Sequence, residues 1–185
     1  MPMQIETPPA VKPYEKPEGE RRGLVIVHTG EGKGKSTAAF GLALRAHGRH
    51  HIHGRTVKIW RFTPAPAARL GEQRLFERIG IAIEDVGDGG IGLARDGWAC
   101  ARASILSGAH FLVVLDGIAD SLAEDRLPLD DVLATLRARP SDAHVVLTGR
   151  RCPPALIELA DTVTEMTVLK QAAGAGAPAR PGSGD

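Results

Sequence analysis

One short run carries the densest set of chemically able residues: Thr29-Gly30-Glu31-Gly32-Lys33-Gly34-Lys35-Ser36-Thr37. Glycines at that density let successive backbone N–H groups converge on phosphate oxygens. Lys35 can reach the same oxygens, Ser36 can offer a hydroxyl to Mg²⁺, and Lys33 brings a second positive charge. Glu31 would be repelled by phosphates and is expected to face solvent. The run departs once from the pattern G-x-x-x-x-G-K-[ST], because Thr29 stands where the first glycine belongs. A second element fits beside it. Leu112-Val113-Val114-Leu115-Asp116 reads as a buried strand ending on a carboxylate, which could bind Mg²⁺ directly or through water. The other reading of Asp116 is an ordinary residue opening a loop.

Further groups deserve weighing. Asp120, Glu124 and Asp125 follow Asp116 and could lend it a second carboxylate. Glu84, Asp85 and Asp88 could pair for acid chemistry, but a solvated rim at a strand end is the simpler reading. Arg150 and Arg151 could contact phosphate or cap a strand end. His47, His50, His51 and His53 crowd one connection, but no cysteine or carboxylate completes a metal site there, so a surface loop is expected. Cys152 has no assignable base and reads as a free thiol.

These residues need a scaffold. Leu24–His28 is a short continuous apolar run, as in a strand buried on both faces. The glycine-rich turn follows, and Lys35 to about Gly48 reads as an Ala- and Leu-rich helix. Thr56–Trp60, Ile81–Val86, Phe111–Asp116, His144–Thr148 and Thr162–Val168 read as further strands. Helices are expected from Leu70 to Ile79 with Gly80 as the stop, over Asp96–Leu106 with Trp98 in the core, after Pro128, and over Pro154–Ala160. The alternation predicts an α/β fold, a mostly parallel β-sheet with helices on both faces. Ligands in such sheets bind beyond the carboxyl ends of the strands.

Composition bounds the rest. The chain has 185 residues with 23 Lys+Arg against 22 Asp+Glu, so binding nucleic acid through bulk positive charge is not expected. Two cysteines are too few for a disulfide framework. The longest aliphatic runs are strand-sized, far below the roughly 20 residues that span a bilayer, and the N-terminus shows no export pattern. A cytoplasmic protein that does not enter membranes is expected. Residues 1–22 are Pro-rich and 171–185 are mostly Ala, Gly and Pro. Both are read as flexible tails around a single folded domain over 23–170.

With both elements placed, the sequence resembles the P-loop family of ATP:corrinoid adenosyltransferases. The matching words are Thr29 through Gly41, Arg45-Ala46, Gly71-Glu72, Val113–Asp116, Leu127-Pro128-Leu129, Arg139-Pro140, Val145–Arg150 and Ala160–Met166, in family order. Thr29 is itself a family feature. The resemblance implies a P-loop NTPase-like fold and transfer of the 5′-deoxyadenosyl group of ATP to a reduced cobalt corrinoid, with release of triphosphate. Cobalt is then the nucleophile, so no protein nucleophile or general base is required. Gly30, Glu31, Gly32, Lys33, Gly34, Lys35, Ser36 and Thr37 would hold the triphosphate. Lys35 and Asp116 would serve catalysis, Ser36 and Asp116 would hold Mg²⁺, and the protein would be a homodimer. A family N-terminal arm can cover the neighbouring subunit's site, although the prolines of residues 1–22 disfavour a helical lid.

Three departures stand out. Asp116-Gly117 replaces the family's Asp-Glu. Gly87-Asp88-Gly89-Gly90-Ile91-Gly92-Leu93 stands where the family's Gly-Phe-Thr-Trp, with its corrinoid-facing aromatic pair, is usual. Arg61-Phe62-Thr63-Pro64 replaces Phe-Ile-Lys-Gly, and Arg61 could supply a replacement charge or be a solvated basic residue. Two alternatives therefore stay open: an ATP-binding paralogue with impaired transfer, and a different P-loop ATPase or phosphotransferase.

Overall fold

A computed structural model of the chain describes residues 19, 21–49, 54–63, 71–86 and 91–170. Six strands form one parallel sheet: β1 (Val25–Thr29), β2 (Thr56–Arg61), β3 (Ala82–Asp85), β4 (His110–Asp116), β5 (His144–Thr148) and β6 (Thr162–Glu165). Their spatial order is β3-β2-β4-β5-β1-β6. The most apolar runs therefore lie at the centre, where both faces must be covered. Val113, Val114, Leu115, Val145, Val146 and Leu147 are all essentially inaccessible. The outer strands β3 and β6 are short and largely exposed, which limits edge pairing.

Helices cover both faces. On one, Ala39, Phe40, Ala43 and Ala46 of α1 (Lys35–His47) and Phe76 of α2 (Gly71–Ile79) pack against Ile59, Val114 and Val146. Small residues on α1 let it lie close to the sheet, and the Phe40 and Phe76 rings meet edge to face at 5.4 Å. On the other face lie α3 (Ile91–Leu106), α4 (Ile118–Ala123), α5 (Leu129–Ala138) and α6 (Pro154–Leu159). Trp98, Ala101 and Ile105 of α3 are buried there with Val132, Leu133 and Leu136 of α5. The Trp98 Nε1–H donates to Asp131 at 2.6 Å, so the indole belongs to the core as its helical spacing predicted.

The sequence reading needs adjustment at element ends. α3 starts at Ile91 rather than Asp96, and β6 stops at Glu165 rather than Val168. The short α4 has no expectation behind it, because six residues carry too little periodicity to read. No helix among the described residues is long and apolar enough to cross a membrane. His50, His51, His53, Asp88 and the 87–90 segment lie outside the described residues. Among the described residues no cluster of three or more His, Cys, Asp or Glu side chains could hold a metal.

Candidate nucleotide site

The parallel register brings β1, β4 and β5 to a common carboxyl edge. His28 pairs with Thr148, and Leu115 pairs with Leu147, one residue before Asp116 and Thr148. The glycine-rich loop leaves β1 at that edge and enters α1 at Lys35. Gly30 turns the chain with φ 95°, and a Cβ there would lie 2.5 Å from the Met166 carbonyl oxygen. That position therefore needs glycine twice over, for its left-handed conformation and for the backbone passing beneath it.

Met166 is the platform of the loop. Its N–H donates to the Thr29 carbonyl at 2.8 Å and its carbonyl accepts the Gly32 N–H at 2.6 Å. The Thr29 hydroxyl and the Gly30 N–H both donate to the Arg150 carbonyl, at 3.1 and 3.2 Å. Two sequence words that looked merely diagnostic, the run ending in Arg150 and the run ending in Met166, thus hold the loop physically. The threonine at 29 has a specific use, since glycine could not make its side-chain bond.

Lys35 folds back across the loop. Its ammonium donates to the Gly30 carbonyl at 2.7 Å and the Gly32 carbonyl at 2.5 Å. Burial lowers its pKa from the ordinary lysine value, and the neighbouring Arg150 charge adds to the lowering, while Asp120 and Glu31 oppose it. Two cations thus meet at one loop, an arrangement that an anion relieves. Ser36 is half-buried in the first turn of α1, Thr37 and Lys33 are exposed, and Glu31 is exposed as expected.

Asp116 ends β4 and is buried. Its Oδ1 accepts the Thr148 hydroxyl at 2.7 Å, and that hydroxyl accepts the Gly117 N–H at 2.8 Å. Gly117 has φ 80°, and a Cβ there would lie 2.3 Å from Thr63 Cγ2. The place of the family's second carboxylate is therefore closed by Thr63. The buried Asp116 carboxylate and the Ser36 hydroxyl in the first turn of α1 are hard oxygen donors of the kind that suits Mg²⁺, which keeps several waters and phosphate oxygens when held by so few protein groups.

Several of the other acids and bases have partners. Arg61 is neither solvated nor free: it is buried, with its Nε 2.7 Å from Asp85 and a bond of 3.3 Å to Gln73. Asp85 and Glu84 are both exposed, as a solvated strand-end rim should be, while Asp85 meets Arg61 and Glu84 pairs with Lys58 at 2.9 Å. Asp120 accepts the Arg150 N–H at 2.9 Å, and Glu124 pairs with Arg126 and with Arg151. A cleft of about 490 Å³ opens beside the loop, lined by Glu31, Phe62, Thr63, Asp120, Arg150 and Arg151 among others. The Cys152 thiol is half-buried away from any activating base, and burial pushes its pKa up to about 11.

A parallel sheet, a glycine-rich strand-to-helix loop carrying Lys35 and an acid at the end of a second strand define a P-loop nucleotide-binding protein of the α/β class. The family model of ATP:corrinoid adenosyltransferase BtuR/CobO/CobP matches residues 21–183. The corrinoid adenosyltransferase of Pseudomonas aeruginosa is 39% identical over 175 residues, covering 88% of this chain and 84% of that protein. The corrinoid adenosyltransferase of Escherichia coli K12 is 36% identical over 173 residues, with 88% and 86% covered. Corrinoid adenosyltransferase CobA of Salmonella typhimurium is 37% identical over 173 residues, with the same shares covered. The chain belongs to the ATP:corrinoid adenosyltransferase family.

Proposed function

We propose that this protein transfers the 5′-deoxyadenosyl group of ATP to the reduced cobalt of a corrinoid, in corrinoid biosynthesis or salvage. The cobalt electron pair forms the bond to C5′, the C5′–O5′ bond breaks, and triphosphate leaves with the pair of the broken bond. The observation that carries the reading is the family match across the folded chain, centred on a loop built for an oligophosphate. The loop amides and Lys35 hold the triphosphate, and they stabilise the charge that gathers on it as it departs. Arg150, close enough to Lys35 to lower its pKa, adds charge on the cleft side. Mg²⁺ held by Ser36 and Asp116 would supply further neutralisation of the leaving group. The protein acts as a homodimer in the cytoplasm, with residues 23–170 as its catalytic domain.

One observation favours a second reading. Gly117 leaves Asp116 without a neighbouring carboxylate, and Thr63 fills that place. A paralogue that binds ATP and transfers poorly would look the same.

The deciding experiment mixes protein, ATP, Mg²⁺ and chemically reduced cobalamin. A light-sensitive cobalt–carbon product together with triphosphate is the expected result. Orthophosphate without alkylated corrinoid would point to an ATPase. ATP binding with neither product would leave the impaired paralogue and overturn the proposal.

A further inference from the structure

We propose that Asp120 is a positioning residue for nucleotide binding: its carboxylate sets the peptide between Arg150 and Arg151, and that peptide sets the mouth of the phosphate loop. The inference rests on the reading of Thr29–Thr37 as the nucleotide loop.

Asp120 lies in the first turn of α4, four residues beyond Asp116. Its Oδ1 accepts the Arg150 N–H at 2.9 Å and the Arg151 N–H at 3.4 Å. The Arg151 N–H and the Arg150 carbonyl belong to one peptide group. On its other side that carbonyl accepts the Gly30 N–H at 3.2 Å and the Thr29 hydroxyl at 3.1 Å. The peptide cannot rotate without straining bonds at both ends. A carboxylate is also a stronger acceptor than a neutral oxygen. Engaging the N–H of an amide polarises its carbonyl in the sense that strengthens what the carbonyl accepts. Asp120 thereby holds the point where β1 becomes the loop, immediately before the carbonyls that Lys35 meets.

Glu124, which caps the C-terminus of α4, pairs with the Arg151 guanidinium at 3.0 Å and with Arg126. It grips side chains and does not orient the peptide. An acid in the first turn of a helix also favours the helix dipole, but that effect would stabilise α4 without selecting the loop.

The test uses the full chain, with MgATP titration calorimetry and amide hydrogen exchange resolved at Gly30. Asp120→Ala is expected to weaken ATP binding by about tenfold, the loss of one charge-assisted bond's worth of orientation. It should speed exchange at the Gly30 amide by a similar factor and leave the Val114 amide unchanged. Asp120→Asn retains an oxygen acceptor and should restore both readings to within about threefold of wild type. Asp120→Glu keeps the charge but misplaces the acceptor, so it should lose both, and it serves if the alanine variant does not fold. Wild-type affinity and exchange in the Ala or Glu variants would overturn the proposal. So would equal acceleration at Gly30 and Val114, which marks a merely structural role, or an Asn variant as impaired as Ala, which marks charge alone. If the wild-type protein binds no ATP, the nucleotide reading falls. Selective acceleration at Gly30 in Asp120→Ala would then still support the peptide relay, and its absence would overturn it.

Discussion

The hydroxyl of Thr148 donates to Asp116 Oδ1 at 2.7 Å, joining the last residues of two adjacent strands. The same hydroxyl accepts the Gly117 N–H, so one buried threonine fixes both the acid and the turn behind it. Thr148→Val has nearly the same shape but neither donor nor acceptor, and it leaves the Gly117 amide buried and unpaired. We expect a loss of about 1–3 kcal/mol in stability, read as a lower urea midpoint with unchanged m. The Mg²⁺ concentration for half-maximal ATP binding should rise. Thr148→Ser should stay close to wild type in both, and a valine variant indistinguishable from wild type would show that Asp116 needs no such support.

Lys35→Ala should abolish ATP binding while leaving the fold intact. Among the described residues the ammonium's hydrogen bonds go to the Gly30 and Gly32 carbonyls, both of which can turn to water when it is gone. The melting temperature is expected to move by no more than a few degrees, as for a partly exposed side chain. Calorimetric ATP binding that survives the substitution would mean that the loop has been misassigned.

The α/β class, the central strands and the loop were legible because their signals are local. A run such as Val113–Asp116 or Gly30–Thr37 carries its meaning in adjacent residues. What the sequence could not reveal was contact across the fold. The Met166 backbone beneath the loop, the Arg150 carbonyl on Thr29 and the Thr148 hydroxyl on Asp116 join residues more than 30 positions apart. Arg61 was ambiguous for the same reason. Whether an arginine at a strand end is solvated depends on Asp85 in the neighbouring strand and Gln73 in a covering helix. The likeness between Arg150 or Met166 and a family word was visible, but its mechanical cause was not.

Restoring the family's carboxylate at position 117 should fail in the native background. A side chain there enters a left-handed conformation and meets Thr63 Cγ2 at 2.3 Å. Gly117→Glu is expected to cost about 1–3 kcal/mol from crowding, with a further penalty from backbone strain. Thr63→Ala removes the clashing methyl, so the double variant should recover part of that loss and couple favourably in a double-mutant cycle. If the recovered variant also binds Mg²⁺·ATP at lower Mg²⁺ than wild type, Asp116 is a metal-site residue. An additive cycle would show that Thr63 is not what closes the position.

The two cysteines should react at different rates. Cys100 is exposed on α3, whereas the Cys152 thiol is half-buried and its pKa is pushed up to about 11 by burial. At pH 8 almost none of Cys152 is thiolate, the form that alkylates. Iodoacetamide followed by peptide mass spectrometry should label Cys100 first, with Cys152 catching up only on denaturation. Equal labelling of the native protein would contradict the burial of that thiol.

Stability should fall as the solution is acidified from about pH 7.5, well before the carboxylates titrate. His144 Nδ1 accepts the Leu24 N–H at 3.2 Å, a bond that a proton on that nitrogen would break. Burial lowers the His144 pKa, the Arg139 and Arg55 charges lower it further, and Asp142 opposes them. His28 and His110 are lowered as well, each chiefly by burial. The folded state therefore prefers these rings neutral, while the unfolded chain takes up protons near the ordinary histidine value of about 6.5. Their contribution is fully present above that value and is lost as pH falls toward the lower folded values. The slope should approach about 1.4 kcal/mol per pH unit for each ring that charges only on unfolding. Urea midpoints measured from pH 7.5 down to pH 5.5 should decline accordingly, and His144→Asn, whose amide oxygen can still accept the Leu24 N–H, should flatten part of the decline. A constant midpoint across that range would mean that these histidines charge as readily in the folded protein as in the unfolded chain.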